Sequence, residues 1–173
     1  MKPFSKNIIF LDTEFSSLDP YKGEILSIGL VKLSGQELYL ELDYQDEADD
    51  WVKENVIPFL TQEKISRKQA VEKIKQFVGN RKPYMVGYVN HFDSVFWHKL
   101  CKSIGTTENL FHWIPIDFAS VLFVLGINPE RYNWEHKDNF YQEIGVNHRK
   151  YRKHHALDDA KLLREVYLKF VNE

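Results

Sequence analysis

The sequence predicts an α/β protein in which a mixed five-stranded sheet, with its first three strands antiparallel, is flanked by helices. Three segments near the N-terminus have the character of strands, and the connections between them are short: residues 7–12, 25–33 and 36–43. Short connections favour antiparallel neighbours. From residue 48 onward helical and strand-like segments alternate, which favours helices packed against the same sheet.

The first and third strands differ in their apolar pattern. Residues 7–12 are nearly all apolar, as in a central strand that is covered on both faces. In residues 36–43 three leucines alternate with charged or aromatic residues, which is typical of a half-buried strand. Ser34 and Gly35 supply the turn before it. The acidic stretch 43–50 then predicts a solvated loop.

The remaining elements follow from helical periodicity and from residues that start or stop helices. Helices are predicted over residues 48–56, 66–79, 93–104, 118–125, 138–144 and 156–171, and strands over 84–88 and 115–116. Pro58 separates the first two helices, Asp117 is placed to cap the fourth, and Gly126 ends it. Most of the four tryptophans are expected in the core.

Length and composition limit the class of protein. A chain of 173 residues with 43% hydrophobic residues fits one folded domain over 1–173 and excludes a disordered chain. The net charge of −2 provides no global attraction for nucleic acid, so any such contact must come from a local patch. The single cysteine, Cys101, fits a reducing compartment. No apolar run is long enough for a signal peptide or a membrane span, so we expect a soluble, cytoplasmic protein without membrane contact.

Four acidic residues occupy positions where an acid is costly. Asp12 and Glu14 are two residues apart at the end of the first strand, so their side chains share one face. Asp93 heads a helical stripe of apolar residues, and Asp159 heads another on the last helix. Simpler readings exist, namely an exposed pair at a strand end and acids that cap or charge a helix start.

One explanation covers all four acids, which is a pair of divalent cations. An unpaired carboxylate on a buried face is very costly, and a metal removes that cost. Oxygen ligands without thiolates suit Mg²⁺ or Mn²⁺. Two such ions can stabilise both the attacking and the leaving oxygen of a phosphodiester.

Two adjacent histidines precede Asp159, and either one could act as a base. Helical spacing favours His155, which is four residues before Asp159. His154 is five residues before it and could reach the same place only from a loop. An exposed surface histidine is the alternative for each.

Taken together, these residues resemble the DEDDh family of 3′–5′ exonucleases, which share a ribonuclease-H-like fold. Asp12-Thr13-Glu14-Phe15 is similar to the first motif of the family, Phe92-Asp93 to the second, and residues 154–160, HHALDDA, to the third. The third motif selects His154 rather than His155. A compact bacterial exoribonuclease branch shares further features, including Trp51 and Leu26-Ser27-Ile28-Gly29. Asn90 falls one place later than the asparagine of the family pattern.

The resemblance implies metal-assisted hydrolysis that releases 5′-mononucleotides from the 3′ end of single-stranded RNA. It implies that two Mg²⁺ or Mn²⁺ ions are held by the four acids, that Asp12 bridges them, and that His154 is the general base. It also implies that Phe15 contacts the terminal nucleotide, with core packing as the alternative. A homodimer is expected by family analogy alone.

A basic run immediately precedes His154 and is the candidate strand-binding surface. Arg149, Lys150, Arg152 and Lys153 are four cations within five residues, interleaved with Tyr151. Cations beside an aromatic ring suit a single strand, so we expect phosphate contacts from Arg149, Arg152 and Lys153. A solvated charged loop is the alternative.

Three other functions stay open at this point. Single-stranded DNA could be the substrate, or the protein could cut internally as ribonuclease H does, although the His-x₄-Asp spacing argues against internal cutting. A non-catalytic nucleic-acid-binding module on the same fold is the alternative from a different class, and the presence of all four acids and the histidine argues against it.

Overall fold

The computed structural model of the chain describes residues 2–45, 47–133 and 139–171. Six strands form one mixed sheet in the order β4-β3-β2-β1-β5-β6. The strands are β1 (Ile8–Phe15), β2 (Ile25–Lys32), β3 (Glu37–Leu42), β4 (Lys64–Ile65), β5 (Tyr84–Gly87) and β6 (Ile116–Asp117). The helices are α1 (Asp50–Asn55), α2 (Arg67–Val78), α3 (His91–Ser103), α4 (Phe118–Val124), α5 (Phe140–Glu143) and α6 (Ala156–Phe170).

The predicted fold class is confirmed, with one more strand than expected. Strands β1, β2 and β3 are antiparallel neighbours, and β5 and β6 run parallel to β1 and to each other. The additional strand is β4, which pairs with β3 at the sheet edge. Two residues are too few to show any strand periodicity in a sequence, which is why the five-stranded prediction was wrong at this edge.

Predicted helices agree with observed ones to within a few residues at their ends. The third helix, α3, begins at His91, so Asp93 lies inside its first turn and Asn90 occupies the N-cap position. Asp117 caps α4 as predicted, because its carboxylate accepts hydrogen bonds from the N–H groups of Ala119 and Ser120. Residue 138 of the predicted helix 138–144, residue 46 of the acidic loop, and residues 1, 134–137 and 172–173 of the predicted domain lie outside the described residues.

The core lies on both faces of the sheet. One face of β1, represented by Ile9 and Leu11, packs with α2 and α3. The other face, represented by Ile8 and Phe10, packs with α4, α5 and α6. This second face continues along β1 to Asp12 and Glu14, so the acids extend the surface on which α6 packs. In the described part of the chain, no helix is long and apolar enough to span a membrane.

Two sequence expectations about burial were wrong. The alternating pattern of β3 placed Glu41 toward solvent, yet Glu41 is 1% exposed because residues 61–62 fold over it. Of the three tryptophans in the described ranges, only Trp97 is buried, while Trp51 and Trp113 are exposed. Burial of a tryptophan depends on what packs beside it in three dimensions, which composition does not encode.

Candidate active site

The end of β1 places two acids side by side on one face of the sheet. Asp12 and Glu14 are both within the strand and partly buried, and Thr13 between them points to the opposite face. In the neighbouring strand Gly29 lies opposite Asp12, and Ser27 lies opposite Glu14. The strand therefore fixes the separation of the two carboxylates, as the sequence spacing predicted.

Gly29 allows α6 to approach the sheet beside Asp12. A Cβ atom at Gly29 would lie 2.2 Å from the carbonyl oxygen of Ala156 and 2.3 Å from the backbone nitrogen of Leu157. No side chain other than hydrogen fits in that space. The first turn of α6, which carries Asp159, thus rests directly on β2.

Three carboxylates meet at this contact. Oxygen atoms of Asp12, Glu14 and Asp159 all lie within 4.8 Å of one another. Burial, and then repulsion from the other acids, raises the pKa of Asp12 well above its usual value and that of Glu14 to about 8. Burial also raises the pKa of Asp159 to about 7. A divalent cation would relieve this repulsion, and an oxygen-only donor set fits Mg²⁺ or Mn²⁺.

Asp93 stands behind this group rather than within it. It is 6% exposed in the first turn of α3, and its carboxylate accepts a hydrogen bond of 2.5 Å from the hydroxyl of Thr13. Burial raises the pKa of Asp93 to about 7, although the Thr13 bond opposes the shift. Its charge also contributes to the raised pKa values of Asp12 and Glu14. The fourth acid is thus electrostatically part of the group while remaining hydrogen-bonded on the other side of β1.

The two histidines point in different directions. His154 lies in the turn before α6 with a backbone φ of +57°, and it lines the same cleft as Asp12, Glu14 and Asp159. His155 occupies the N-cap position of α6, and its ring lies against Tyr39 at 4.4 Å. The helical-spacing argument for His155 fails because α6 begins only at Ala156, so His154 and His155 are not on a helix.

Asp12, Glu14, Asp159 and His154 share a cleft of about 710 Å³ with several apolar side chains. Phe15 lines it while also stacking on Phe96, with ring centroids 4.3 Å apart. Trp51, which is 52% exposed, also lines the cleft and meets the His154 ring edge to face, with ring centroids 4.8 Å apart. The apolar lining also includes Leu18, Val52, Val56, Tyr88, Val89 and Tyr132.

Trp51 and Leu18 were not identified as site residues from the sequence. Leu18 offers no signal, since one leucine in a loop is common. Trp51 offered a weak signal, because a tryptophan flanked by Asp49, Asp50 and Lys53 is unlike a core helix.

The basic run is divided between two clefts. Lys153 lines the cleft. Arg152 lies beside it, with its guanidinium 5.1 Å from the ring centroid of Phe59, and its charge lowers the pKa of Glu14 against the larger effect of burial. Arg149 instead lines a separate surface cleft together with Tyr141 and His148.

Asn90 is buried and serves the backbone. It is 4% exposed, and its side-chain amide donates a hydrogen bond to the carbonyl of Ile116. This bond ties the start of α3 to β6. Val89, one residue earlier, lines the cleft and has a positive φ of +54°.

Comparisons with known proteins agree with this fold. The fold is similar to that of the nuclease domain of 3′hExo, a DEDDh family member bound to rAMP, with a TM-score of 0.75 at 13% identity over 98% of this chain and 94% of that one. It is also similar to Escherichia coli exonuclease I in complex with single-stranded DNA, with a TM-score of 0.68 at 14% identity over 94% of this chain and 40% of that one.

Sequence comparison gives a distant relative and a family. The chain is 28% identical over 170 residues to the PolC-type DNA polymerase III of Thermotoga maritima, which covers 94% of this chain but only 12% of that protein. The exonuclease family model RNase_T matches residues 9–167, a range that contains all four acids and both histidines. The chain therefore belongs to the RNase_T exonuclease family.

Proposed function

We propose that the protein removes 5′-mononucleotides from the 3′ end of single-stranded RNA in a reaction that depends on two Mg²⁺ or Mn²⁺ ions. The observation that carries the proposal is the meeting of three carboxylates within 4.8 Å in a cleft that also contains His154. Neither a structural salt-bridge network nor a capping role would gather acids without a cation among them.

Asp12, Glu14 and Asp159 would hold the ions, with Asp93 as the fourth acid. When bound, the ions stabilise the negative charge that develops on the attacking and leaving oxygens. Thr13, which lies between Asp12 and Glu14 on β1, holds Asp93 in place through its hydroxyl.

His154 would take the proton from the attacking water. An imidazole changes protonation near neutral pH, which suits a general base. His154 lies in the turn before α6 and lines the cleft, and its ring packs edge to face with that of Trp51, with ring centroids 4.8 Å apart. His155 is committed to Tyr39 and does not line the cleft.

The cleft walls favour a single strand. Phe15 and Trp51 present aromatic surfaces inside the cleft, and aromatic side chains stack on bases of any sequence. Lys153 brings a positive charge beside the acids, where a phosphate of the strand would lie. Lys153 lines the cleft itself, so we assign the first phosphate contact to Lys153 with Arg152 beside it, and Arg149, which lines the neighbouring cleft, stays a candidate for phosphates further along the strand.

DNA is the second candidate substrate, since exonuclease I from Escherichia coli was solved with single-stranded DNA, whereas 3′hExo was solved with rAMP. RNA and DNA oligomers of one sequence, labelled at the 5′ end, separate the alternatives. We expect the RNA to shorten stepwise with Mg²⁺ or Mn²⁺ and to stay intact after chelation. Faster shortening of the DNA would reverse the substrate assignment. Internal fragments would indicate a ribonuclease-H-type cutter, and absence of cleavage would indicate a binding module.

A further inference from the structure

A buried carboxylate outside the cleft lies two strands away from the acids. Glu41 on β3 is 1% exposed. It is the cross-strand partner of Ser27, which is in turn the partner of Glu14. Directly paired residues project from the same face, so Glu41 and the acids of β1 share the face on which α6 packs.

Three hydrogen bonds hold this carboxylate. The hydroxyl of Tyr39 donates to Oε1 at 3.0 Å, the backbone N–H of Thr61 donates to Oε1 at 2.9 Å, and that of Gln62 donates to Oε2 at 3.0 Å. Both oxygens are therefore engaged. A carboxylate is one of the few side chains that can accept all three of these hydrogen bonds at once.

Both groups of donors lead to the segment that carries His154. On one side, the ring of Tyr39 lies under His155 at 4.4 Å. On the other side, Thr61 and Gln62 follow a 3-10 turn whose last residue, Phe59, receives the guanidinium of Arg152. Residues 152 and 155, which flank His154, thus each rest on an element that Glu41 fastens.

His154 needs such support because its backbone is in the left-handed region, with φ +57°. A residue other than glycine persists there only when its surroundings determine it. Trp51 contacts the ring of His154 edge to face, with ring centroids 4.8 Å apart, and the elements under Arg152 and His155 act on the backbone on either side of it.

We propose that Glu41 is a positioning residue for the general base, holding the segment before α6 in the conformation that turns His154 toward the acids. The inference rests on the proposed function of His154. Glu41 does not line the cleft, so it acts through Tyr39, the turn before Thr61, and the residues that flank His154.

Glu41→Gln tests this role with almost no change of size. Glutamine presents one carbonyl and one amino group, and the amino group cannot accept a hydrogen bond, so at least one of the backbone donors loses its partner. We expect single-turnover cleavage with saturating Mn²⁺ to slow by about ten- to a hundredfold, since small misplacement of a reacting group has effects of that size. The Kd for the RNA oligomer should change by less than about twofold, because the stacking surfaces are untouched.

A double-mutant cycle with His154→Ala identifies the route. If Glu41 acts through His154, Glu41→Gln should have no further effect on the rate in a protein that already lacks the imidazole. Tyr39→Phe keeps the ring against His155 and removes one bond, so it should give a smaller loss with the same dependence on His154. If Glu41→Gln does not fold, Tyr39→Phe takes its place in the double-mutant cycle with His154→Ala.

Glu37→Gln is the matched control. Glu37 is on the same strand and forms an ion pair of 2.8 Å with Lys161 of α6, yet it lies outside the network. We expect its rate to match the wild type.

The outcomes separate the two proposals. If the wild type cleaves neither oligomer, or if His154→Ala cleaves as fast as the wild type, the proposed function fails and the positioning role fails with it. If His154→Ala is slow, and Glu41→Gln reduces the rate by the same factor in the wild type and in the His154→Ala protein, only the positioning role is overturned.

Discussion

Gly29→Ala adds a single methyl group at the point where α6 touches the sheet, and we expect it to slow cleavage more than it weakens the fold. The new Cβ would lie 2.2 Å from the carbonyl oxygen of Ala156, whereas ordinary contact begins at 3.4 Å. The obstructing atoms are backbone, so rotation of a side chain cannot relieve the overlap. The first turn of α6 must move away from β2 by about 1.2 Å.

This movement has separate consequences for stability and for catalysis. Overpacking of a buried position typically costs about 1–3 kcal/mol, which a domain of this size can tolerate. Asp159 and His154 move with the turn, while Asp12 stays on the sheet. Misplacement of about 1 Å can reduce a rate by about 10²-fold, and we expect a loss of that size here.

The assay is single-turnover cleavage of a 5′-labelled RNA oligomer at saturating metal, with Tm measured in the same buffer. Ile74→Val serves as the control, because Ile74 is fully buried on α2 against the opposite face of the sheet. It should cost about 0.5–1.5 kcal/mol and leave the rate unchanged. A Gly29→Ala protein with lowered Tm and wild-type cleavage would refute the idea that the close contact between α6 and Gly29 fixes the catalytic positions of Asp159 and His154.

Three further outcomes follow from the same geometry. In chelator, the Tm of the wild type should decrease as the pH is raised from about 5 to about 8. The pKa values of Asp159 and Glu14 in the folded protein, about 7 and about 8, exceed the unfolded values of 3.8 and 4.5, so ionisation of these carboxyl groups destabilises the fold. Asp159→Asn should reduce this slope, and Mn²⁺ should oppose it. His154→Ala should slow single turnover by about 10²- to 10⁴-fold while metal and substrate still bind, whereas His155→Ala should cost about tenfold or less. Val89→Asn should raise Tm by the equivalent of about 1 kcal/mol, because asparagine tolerates the φ of +54° that strains a β-branched residue.

Each of these outcomes has a contrary result that would count against its reasoning. An equal change of Tm with pH in the wild type and in Asp159→Asn would mean that burial does not destabilise the ionised form of this carboxyl group. If His155→Ala is nearly inactive while His154→Ala stays active, the general base is His155, and the match to the third motif was placed one residue too early. Val95→Asn is the control for Val89→Asn, since Val95 is similarly exposed on α3 but has no positive φ, and equal effects of the two changes would remove backbone strain as the cause.

The acids could be singled out from the sequence because short-range rules place them at the ends of apolar surfaces, and the resemblance to the exonuclease family then grouped them as one candidate site. The period of two along a strand fixes Asp12 and Glu14 on one face, and the helical period aims Asp159 at the sheet. These relations involve neighbours in the chain, so no knowledge of the fold is needed. The antiparallel arrangement of β1, β2 and β3 followed in the same way from the short connections among them.

The support of the site could not be identified because it depends on contacts between distant segments. Glu41 looks like a solvent-facing residue in an alternating strand, and only the packing of residues 61–62 makes it buried. The fitting of α6 on Gly29 joins residues far apart in sequence. Trp51 becomes part of the cleft through the placement of α1, which the sequence does not specify.

His154 shows where local rules and the site disagree. Among the described residues, Val89 and His154 are the two non-glycine positions with positive φ, and both line the cleft. Local preference disfavours this conformation, so the rest of the fold must impose it. Helical spacing selected the other histidine because it assumes an ideal helix through residue 155. The observed helix α6 begins only at Ala156, and His154, in the turn before it, lines the cleft together with three of the acids. A conformation that the local sequence opposes is therefore most economically explained by its result, which is an imidazole in the cleft where Asp159 of α6 meets Asp12 and Glu14 of β1.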